Sequence, residues 1–103
     1  MNAAIARAET LVKQFPENEM ARFSFGKALF DAGQTAAARQ QFEIALAKKP
    51  DWMMVQILIG KCALALEDVP AAKAAFERAR QLAIAQDHQG PLEEMNQLLA
   101  DLS

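Results

Sequence analysis

Residues 16–49 read PENEMARFSFGKALFDAGQTAAARQQFEIALAKK, and residues 50–83 read PDWMMVQILIGKCALALEDVPAAKAAFERARQLA. Laid over each other without a gap, the two stretches are identical at nine positions. Most of the shared residues are small or aromatic, and the pairs are Pro16/Pro50, Met20/Met54, Gly26/Gly60, Lys27/Lys61, Ala37/Ala71, Ala38/Ala72, Phe42/Phe76, Glu43/Glu77 and Ala45/Ala79. Identities at a constant spacing of 34 residues indicate an internal repeat.

The first copy of the repeat predicts two helices. Apolar residues at helical spacing predict a helix over 17–32, and Gly33 is placed to end it in a left-handed conformation. A second helix is predicted over 35–48, with Thr35 as its N-cap. Pro50 stops this helix, because proline cannot continue the backbone hydrogen bonding.

The second copy predicts the same pair of helices, over 51–66 and 69–85. Asp51 and Asp68 are natural N-caps for them. Pro70 falls in a first turn, where its missing N–H costs little.

The small residues of each copy mark a close approach of two helices. Gly26 and Gly60 allow two backbones to come together, and Ala38 and Ala72 do the same on the facing helix. The aromatic residue one turn further along fills the space beside them, which predicts fully buried rings at Phe42 and Phe76.

The order of small and large residues resembles the tetratricopeptide repeat family. The first copy carries it as Gly26, Leu29, Gly33, Ala38, Phe42, Ala45 and Pro50, and the second as Gly60, Ala63, Ala72, Phe76 and Ala79. The resemblance covers residues 1–85 and implies an all-α fold, a right-handed superhelical array of antiparallel helix hairpins with about six helices. The sequence departs from the family pattern at Arg22, Gln56, Ile84 and Ala8.

On this resemblance the chain, residues 1–103, forms one helical-repeat domain. Residues 1–15 match the second half of an earlier repeat, and 16–49 and 50–84 are full repeats. A loop is predicted over 87–90, and Pro91 opens a capping helix over 91–102. One face of that helix is apolar, formed by Leu92, Met95, Leu98, Leu99 and Leu102.

The resemblance also implies a binding surface, because the first helix of each repeat lines the concave face in this family. Lys27 and Lys61, one repeat apart over a Met- and Phe-rich floor, suit an acidic, apolar peptide or helix as partner. An alternative is that Phe30 and Leu64 belong partly to the core and the lysines are only solvated. The expected partner-binding residues are Met20, Phe23, Lys27, Phe30, Asp31, Met54, Ile57, Lys61 and Leu64.

A second candidate surface is the flank of the helix predicted at 2–14, where Ala4 and Ala8 are expected to be exposed. Another chain could supply a helix there, so two functions stay open: an adaptor that receives a peptide or helix, and an assembly element that stacks on copies of itself or on other repeats. Trp52 could belong to either surface. We expect a monomer, with a dimer as the alternative.

Composition excludes several classes of partner. With 11 basic and 13 acidic residues the net charge is −2, which lacks the basic excess of a nucleic-acid binder or a lipid-bound helix. No apolar run approaches the roughly 18 residues that span a bilayer. Cys62 is the single cysteine and cannot form an internal disulfide. A cytoplasmic protein is expected.

Candidate catalytic and metal-binding residues are isolated from one another. His88 lies in a polar loop, Cys62 lies in a predicted apolar helix, and the acidic pairs Glu93/Glu94 and Glu67/Asp68 have solvated or capping positions. The sequence contains no glycine-rich phosphate loop and no nucleophile elbow. We therefore expect no enzymatic activity, no cofactor and no metal.

Overall fold

The computed structural model describes residues 2–103, which form six helices and no strand. The all-α class predicted from the repeat is therefore confirmed for this part of the chain. The helices are α1 (Ala3–Gln14), α2 (Glu19–Asp31), α3 (Thr35–Lys48), α4 (Met53–Ala65), α5 (Val69–Ala85) and α6 (Gln89–Leu102).

The helices divide into two compact units, Met1–Pro50 and Asp51–Ser103. In the first unit α2 packs against both α1 and α3. In the second unit α5 packs against both α4 and α6. Each unit therefore contains one complete repeat hairpin and one additional helix.

Helices α3 and α5 have the predicted bounds, whereas α2 begins two residues later than predicted. Asn18 is the N-cap of α2, and its side-chain oxygen accepts a hydrogen bond from the Ala21 N–H at 3.0 Å. An asparagine in this position satisfies a backbone donor that has no partner within the helix. Pro16 and Glu17 consequently lie in the turn before α2.

Two predicted N-caps are wrong. Thr35 is the first residue of α3, and the N-cap is Gln34, without a side-chain capping hydrogen bond. Gln34 is fixed there because its N–H donates to the Leu29 carbonyl at the end of α2. Trp52 and not Asp51 is the N-cap of α4.

Asp68 is confirmed as the N-cap of α5, where its carboxylate accepts from the Ala71 N–H at 3.3 Å. Pro70 lies in the first turn, as predicted. Both residues suit the start of α5, where the N–H groups have no partner within the helix. Asp68 accepts a hydrogen bond from one of them, and the N–H that Pro70 lacks would have had no helical partner.

The loop predicted over 87–90 is present but ends earlier than predicted, because α6 already begins at Gln89. The chain turns at Gln86–His88, where Asp87 has a φ of 57°. Gly90 and Pro91 lie in the first turn of α6, which tolerates proline because its N–H groups have no partner within the helix.

The first helix of each repeat ends in the same left-handed turn. Gly33 has the predicted left-handed conformation, with a φ of 81°. Glu67 occupies the equivalent position one repeat later, with a φ of 62°. In each turn two N–H groups donate back to the last helical carbonyls: Gly33 to Phe30, Gln34 to Leu29, Glu67 to Leu64 and Asp68 to Ala63. This arrangement satisfies carbonyls that the helix end leaves open.

The two turns give a matched pair of stability predictions. Gly33→Ala is expected to lower the free energy of unfolding by about 1 kcal/mol, because a β-carbon disfavours the left-handed conformation. Open space surrounds Gly33, so no steric clash adds to this cost. Glu67→Gly is expected to raise the free energy of unfolding by about 0.5–1 kcal/mol for the same reason. Urea denaturation followed by circular dichroism measures both, and shifts of the same sign would contradict the conformational explanation.

The predicted core positions are confirmed. Phe42 and Phe76 are fully buried, as are Ala38 and Ala72. A β-carbon at Gly26 would lie 2.6 Å from Cε1 of Phe42, so this glycine is required by the close packing of α2 on α3.

Four of the five residues of the predicted apolar face of the capping helix lie in the core or pack against it. Met95 is fully buried in a cluster with Ile57 of α4 and Phe76 of α5, and Leu98, Leu99 and Leu102 pack against that cluster. Helix α6 therefore covers apolar surface on both α4 and α5.

Candidate partner-binding surface

The predicted binding residues of α2 form a partly apolar surface in the first unit. Met20 is 54% exposed, whereas Phe23 and Phe30 are half-buried. The ring centroids of Phe23 and Phe30 lie 6.1 Å and 6.5 Å from that of the buried Phe42. These two aromatic residues therefore combine a structural role with an accessible edge.

Lys27 lies on the same helix, held between a carboxylate and a ring. Its Nζ is 3.1 Å from Oδ1 of Asp31 and 5.9 Å from the centroid of Phe30. Both charged side chains are largely exposed. Such an exposed pair contributes little to stability, and the charges stay available to a partner.

A groove of about 410 Å³ lies between α1 and α2. Three predicted binding residues, Phe23, Lys27 and Asp31, form part of the wall contributed by α2. The wall contributed by α1 includes both residues predicted on the open flank, Ala4 and Ala8. Three of the nine predicted binding residues and both residues of the predicted flank thus line one groove. Its lining residues are Ala4, Arg7, Ala8, Leu11, Phe23, Ser24, Lys27, Ala28 and Asp31.

The prediction that Ala8 is exposed is wrong, since its exposure is 7%. Ala8 lines the groove while packing within the unit, and Ala4 remains exposed. The residues that do expose apolar surface near the C-terminal end of α1 are Leu11, 44% exposed, and Phe15, 55% exposed. The sequence analysis missed both, although Leu11 occupies the position of Ala45 and could have been found from the repeat alignment.

A smaller depression of about 210 Å³ lies at the C-terminal end of α1. It contains Met20, a predicted binding residue, together with Leu11 and Phe15. Leu11 also lines the larger groove, so apolar surface continues from one depression to the other.

The predicted binding residues of the second unit differ in accessibility. Met54 is 49% exposed, but Ile57 is only 3% exposed and belongs to the core. Leu64 packs against the same core. Ile57 therefore has no accessible binding surface in the second unit, because α6 brings Met95 into the cluster beside it.

Lys61 is engaged within the second unit. Its Nζ lies 3.3 Å from Oε2 of Glu94 on α6, so the charge of Lys61 is partly neutralised there. The equivalent lysine of the first unit, Lys27, has its partner on its own helix. The two repeats thus place the same residue in different surroundings.

The residues considered for catalysis are far from forming a site. His88 is exposed as the N-cap of α6, and Cys62 is completely buried in α4. Within residues 2–103, no three His, Cys, Asp or Glu side chains are grouped as metal ligands. Over the same described residues, no helix has the length and apolar character needed to cross a membrane.

The comparisons with known proteins identify the family. The tetratricopeptide repeat family model matches residues 2–51 and 23–87, which together cover most of the sequence. The chain belongs to the tetratricopeptide repeat family. No curated protein matches it.

Several solved structures share the fold. PcrH in complex with the chaperone binding region of PopD superimposes with a TM-score of 0.88 at 19% identity, over 95% of this chain and 74% of PcrH. The TPR2B domain of yeast Sti1 in complex with pHsp70 gives 0.85 at 18% identity, over 96% and 79% of the two chains. Protein BPP2914 from Bordetella parapertussis gives 0.84 at 26% identity, over 99% and 89%.

Proposed function

We propose that this chain is a non-catalytic protein-interaction module that binds an acidic, apolar segment of another protein, a peptide or helix, on the first unit. The binding surface is the groove between α1 and α2. The single observation that carries the proposal is that this groove unites Phe23, Lys27 and Asp31 with the flank of α1. The predicted contacts of the second unit lie outside this surface: Ile57 is buried, and Lys61 is paired with Glu94 of α6.

The chemistry of the groove supports such a partner. Apolar atoms of Phe23, Leu11 and Ala28 line it, which suits an apolar side chain, and Arg7 and Lys27 stand on opposite walls. Asp31 is the acidic residue of the lining and is paired with Lys27, so the groove has an excess of positive charge. Complementary charge favours an acidic partner and speeds its association.

The structural neighbours agree with a binding role. The PcrH structure contains the chaperone binding region of PopD, and the Sti1 domain is in complex with pHsp70. Both are complexes with another protein on the same fold. They support protein binding in general, and the acidic and apolar character of the partner follows from the groove itself.

The first test is selection of binders from a random peptide library, followed by titration at two salt concentrations. Lys27→Glu is expected to weaken the selected peptides about tenfold at low salt, which corresponds to about 1.4 kcal/mol, and to reduce the salt dependence of binding. Phe23→Ala is expected to weaken binding while leaving the salt dependence in place. Circular dichroism checks that each variant is folded.

Lys61→Gln is the matched control, because Lys61 is the same residue one repeat later and does not line the groove. It is expected to leave affinity unchanged within about twofold, because an exposed charge outside the interface contributes little to the binding free energy. If Lys27→Glu and Lys61→Gln change the affinity equally, the peptides do not bind in the groove. A library that yields no binder at all would contradict the proposed function.

The second candidate function is self-assembly through the same flank of α1. The exposed apolar residues Leu11 and Phe15 favour it, since exposed apolar surface often marks an interface. Sedimentation equilibrium separates the two functions. A monomer supports the binding module, whereas a dimer that dissociates on Leu11→Glu supports assembly.

A further inference from the structure

The two units of this chain contain equivalent helix pairs, one covered and one open. Two repeat lengths separate α1 from α5, and α2 and α6 are the helices that follow them. The groove residues of α1, namely Ala4, Arg7, Ala8 and Leu11, correspond to Ala72, Ala75, Phe76 and Ala79 of α5. The second unit therefore shows what lies on this surface when it is occupied.

In the second unit the occupant is a helix. All four equivalent residues of α5 are buried, and Ala72, Phe76 and Ala79 share a core cluster with Ile57 of α4. Helix α4 also reaches α6, through the pair Lys61–Glu94. Helix α4 thus occupies the position on α5 and α6 that corresponds to the groove on α1 and α2.

The position of Ala8 sets the size of the side chain that an occupant must supply there. In both complete hairpins this position is a phenylalanine, Phe42 or Phe76, and its ring lies against a glycine of the facing helix, Gly26 or Gly60. Because Ala8 replaces the ring, a glycine on the occupant would leave a void. Close packing therefore requires a large apolar residue at that position of the occupant.

The position of Arg7 sets the charge that an occupant must supply. One repeat later this position is Gln41, whose Oε1 accepts a hydrogen bond from Nη1 of Arg22 at 3.0 Å. Arg22 lies four residues before Gly26 on the facing helix. The occupant residue four positions before the large apolar one thus faces Arg7, and an acidic side chain suits it.

A second copy of this chain fits the groove poorly. In a two-fold pairing of α1 with its counterpart around Ala8, the neighbouring Arg7 residues of the two copies would come together near the axis. Like charges brought together in this way oppose that pairing.

We propose that the α1–α2 groove binds one helix of another protein, which carries an acidic residue facing Arg7 and, four positions later, a large apolar residue facing Ala8. The bound helix completes a hairpin with α1, as α4 does with α5. This inference rests on the proposed function and specifies the conformation and side chains of the partner.

The probe is a synthetic peptide with the sequence of residues 17–33, which includes α2, carrying Arg22→Glu and Gly26→Leu. Two control peptides each carry only one of these changes. The doubly substituted peptide is expected to bind the full chain at least about tenfold more tightly than either control, because each control leaves a void at Ala8 or sets two arginines together. Fluorescence anisotropy measures the affinities.

Substitutions in the full chain separate groove recognition from the greater helicity of a leucine peptide. Ala8→Phe restores the ring and is expected to reverse the preference, so that the peptide with Gly26 and Glu at position 22 binds more tightly than the doubly substituted one. In the Arg7→Glu variant, the peptide that carries Gly26→Leu alone and so retains Arg22 is expected to bind more tightly than the doubly substituted peptide. Arg7 is exposed, so this variant keeps the test valid if Ala8→Phe does not fold.

If Ala8→Phe and Arg7→Glu both bind the three peptides in the same order of affinity as the unmodified chain, the helix proposal is overturned. If library peptides still bind and depend on Lys27, the proposed function stands and only the helical occupant is lost. A dimer of the unmodified chain that Ala8→Phe dissociates would show that a second copy fills the groove, which also overturns the proposal.

Discussion

Phe42→Ala and Phe76→Ala are each expected to lower the free energy of unfolding by about 3–5 kcal/mol. Both rings are completely buried, so truncation removes apolar contacts and leaves a cavity. The surroundings cannot fill it easily, because each ring lies against a glycine that has no side chain to move.

The effect is large relative to the whole stability of a chain of this size, which is about 5–15 kcal/mol. Guanidinium denaturation followed by circular dichroism measures it. Phe15→Ala is the control with the same change of chemistry, since Phe15 is 55% exposed and the expected loss is below about 1 kcal/mol.

The two core variants also test the assignment of the rings to separate units. Phe42 packs near the rings of Phe23 and Phe30 in the first unit, whereas Phe76 clusters with Ile57 and Met95 in the second. Tryptophan fluorescence from Trp52 reports on the second unit and circular dichroism on both. Denaturation midpoints unmoved by either substitution would show that the rings do not hold the hairpins together.

The helices and their pairing could be predicted from the sequence, because the same small and large residues occur twice. Gly26 with Phe42 and Gly60 with Phe76 fix which faces meet. A contact that depends on two side chains of opposite size leaves this kind of pattern. The bounds of α3 and α5 followed from prolines and helix periodicity in the same way.

Helix ends were harder to predict, because several residues compete for each cap. Gln34 and not Thr35 is the N-cap of α3, because the Gln34 N–H is already hydrogen-bonded in the turn that ends α2. Asp87 adopts a left-handed conformation although it is not a glycine, so the sequence did not indicate a left-handed turn there. This turn allows α6 to begin at Gln89. Such choices depend on the preceding turn and not on the propensity of one residue.

The candidate site was only partly predictable. Resemblance to the family placed Phe23 and Lys27 on an accessible helix, and the structure puts both in the groove. It also suggested Ile57, which α6 helps to bury. The equivalent of Ile57 is Phe23, so one repeat position is fully buried in the second unit and half-buried in the first. That difference depends on which neighbouring helices are present, and the repeat pattern does not contain this information.

Gly60→Ala is expected to lower the free energy of unfolding by about 1–3 kcal/mol, although alanine favours helix over glycine by about 1 kcal/mol. A β-carbon at Gly60 would lie 2.6 Å from Cδ1 of Phe76, and that ring is fully buried and has no room to retreat. Gly26→Ala is expected to behave alike against Phe42. Gly90→Ala is the control, because open space surrounds this glycine in α6, and it is expected to be neutral or stabilising.

A double-mutant cycle assigns the cost of Gly60→Ala to its cause. Phe76→Leu shortens the side chain that meets the new β-carbon, so Gly60→Ala is expected to cost less in the Phe76→Leu background than in the original chain. A coupling energy of about 1 kcal/mol or more is expected for residues in direct contact. Additive effects would mean that glycine is required at this position for a reason other than the ring. The same size rule then would not apply at Ala8, and the requirement for a large apolar residue on a partner helix would lose its basis.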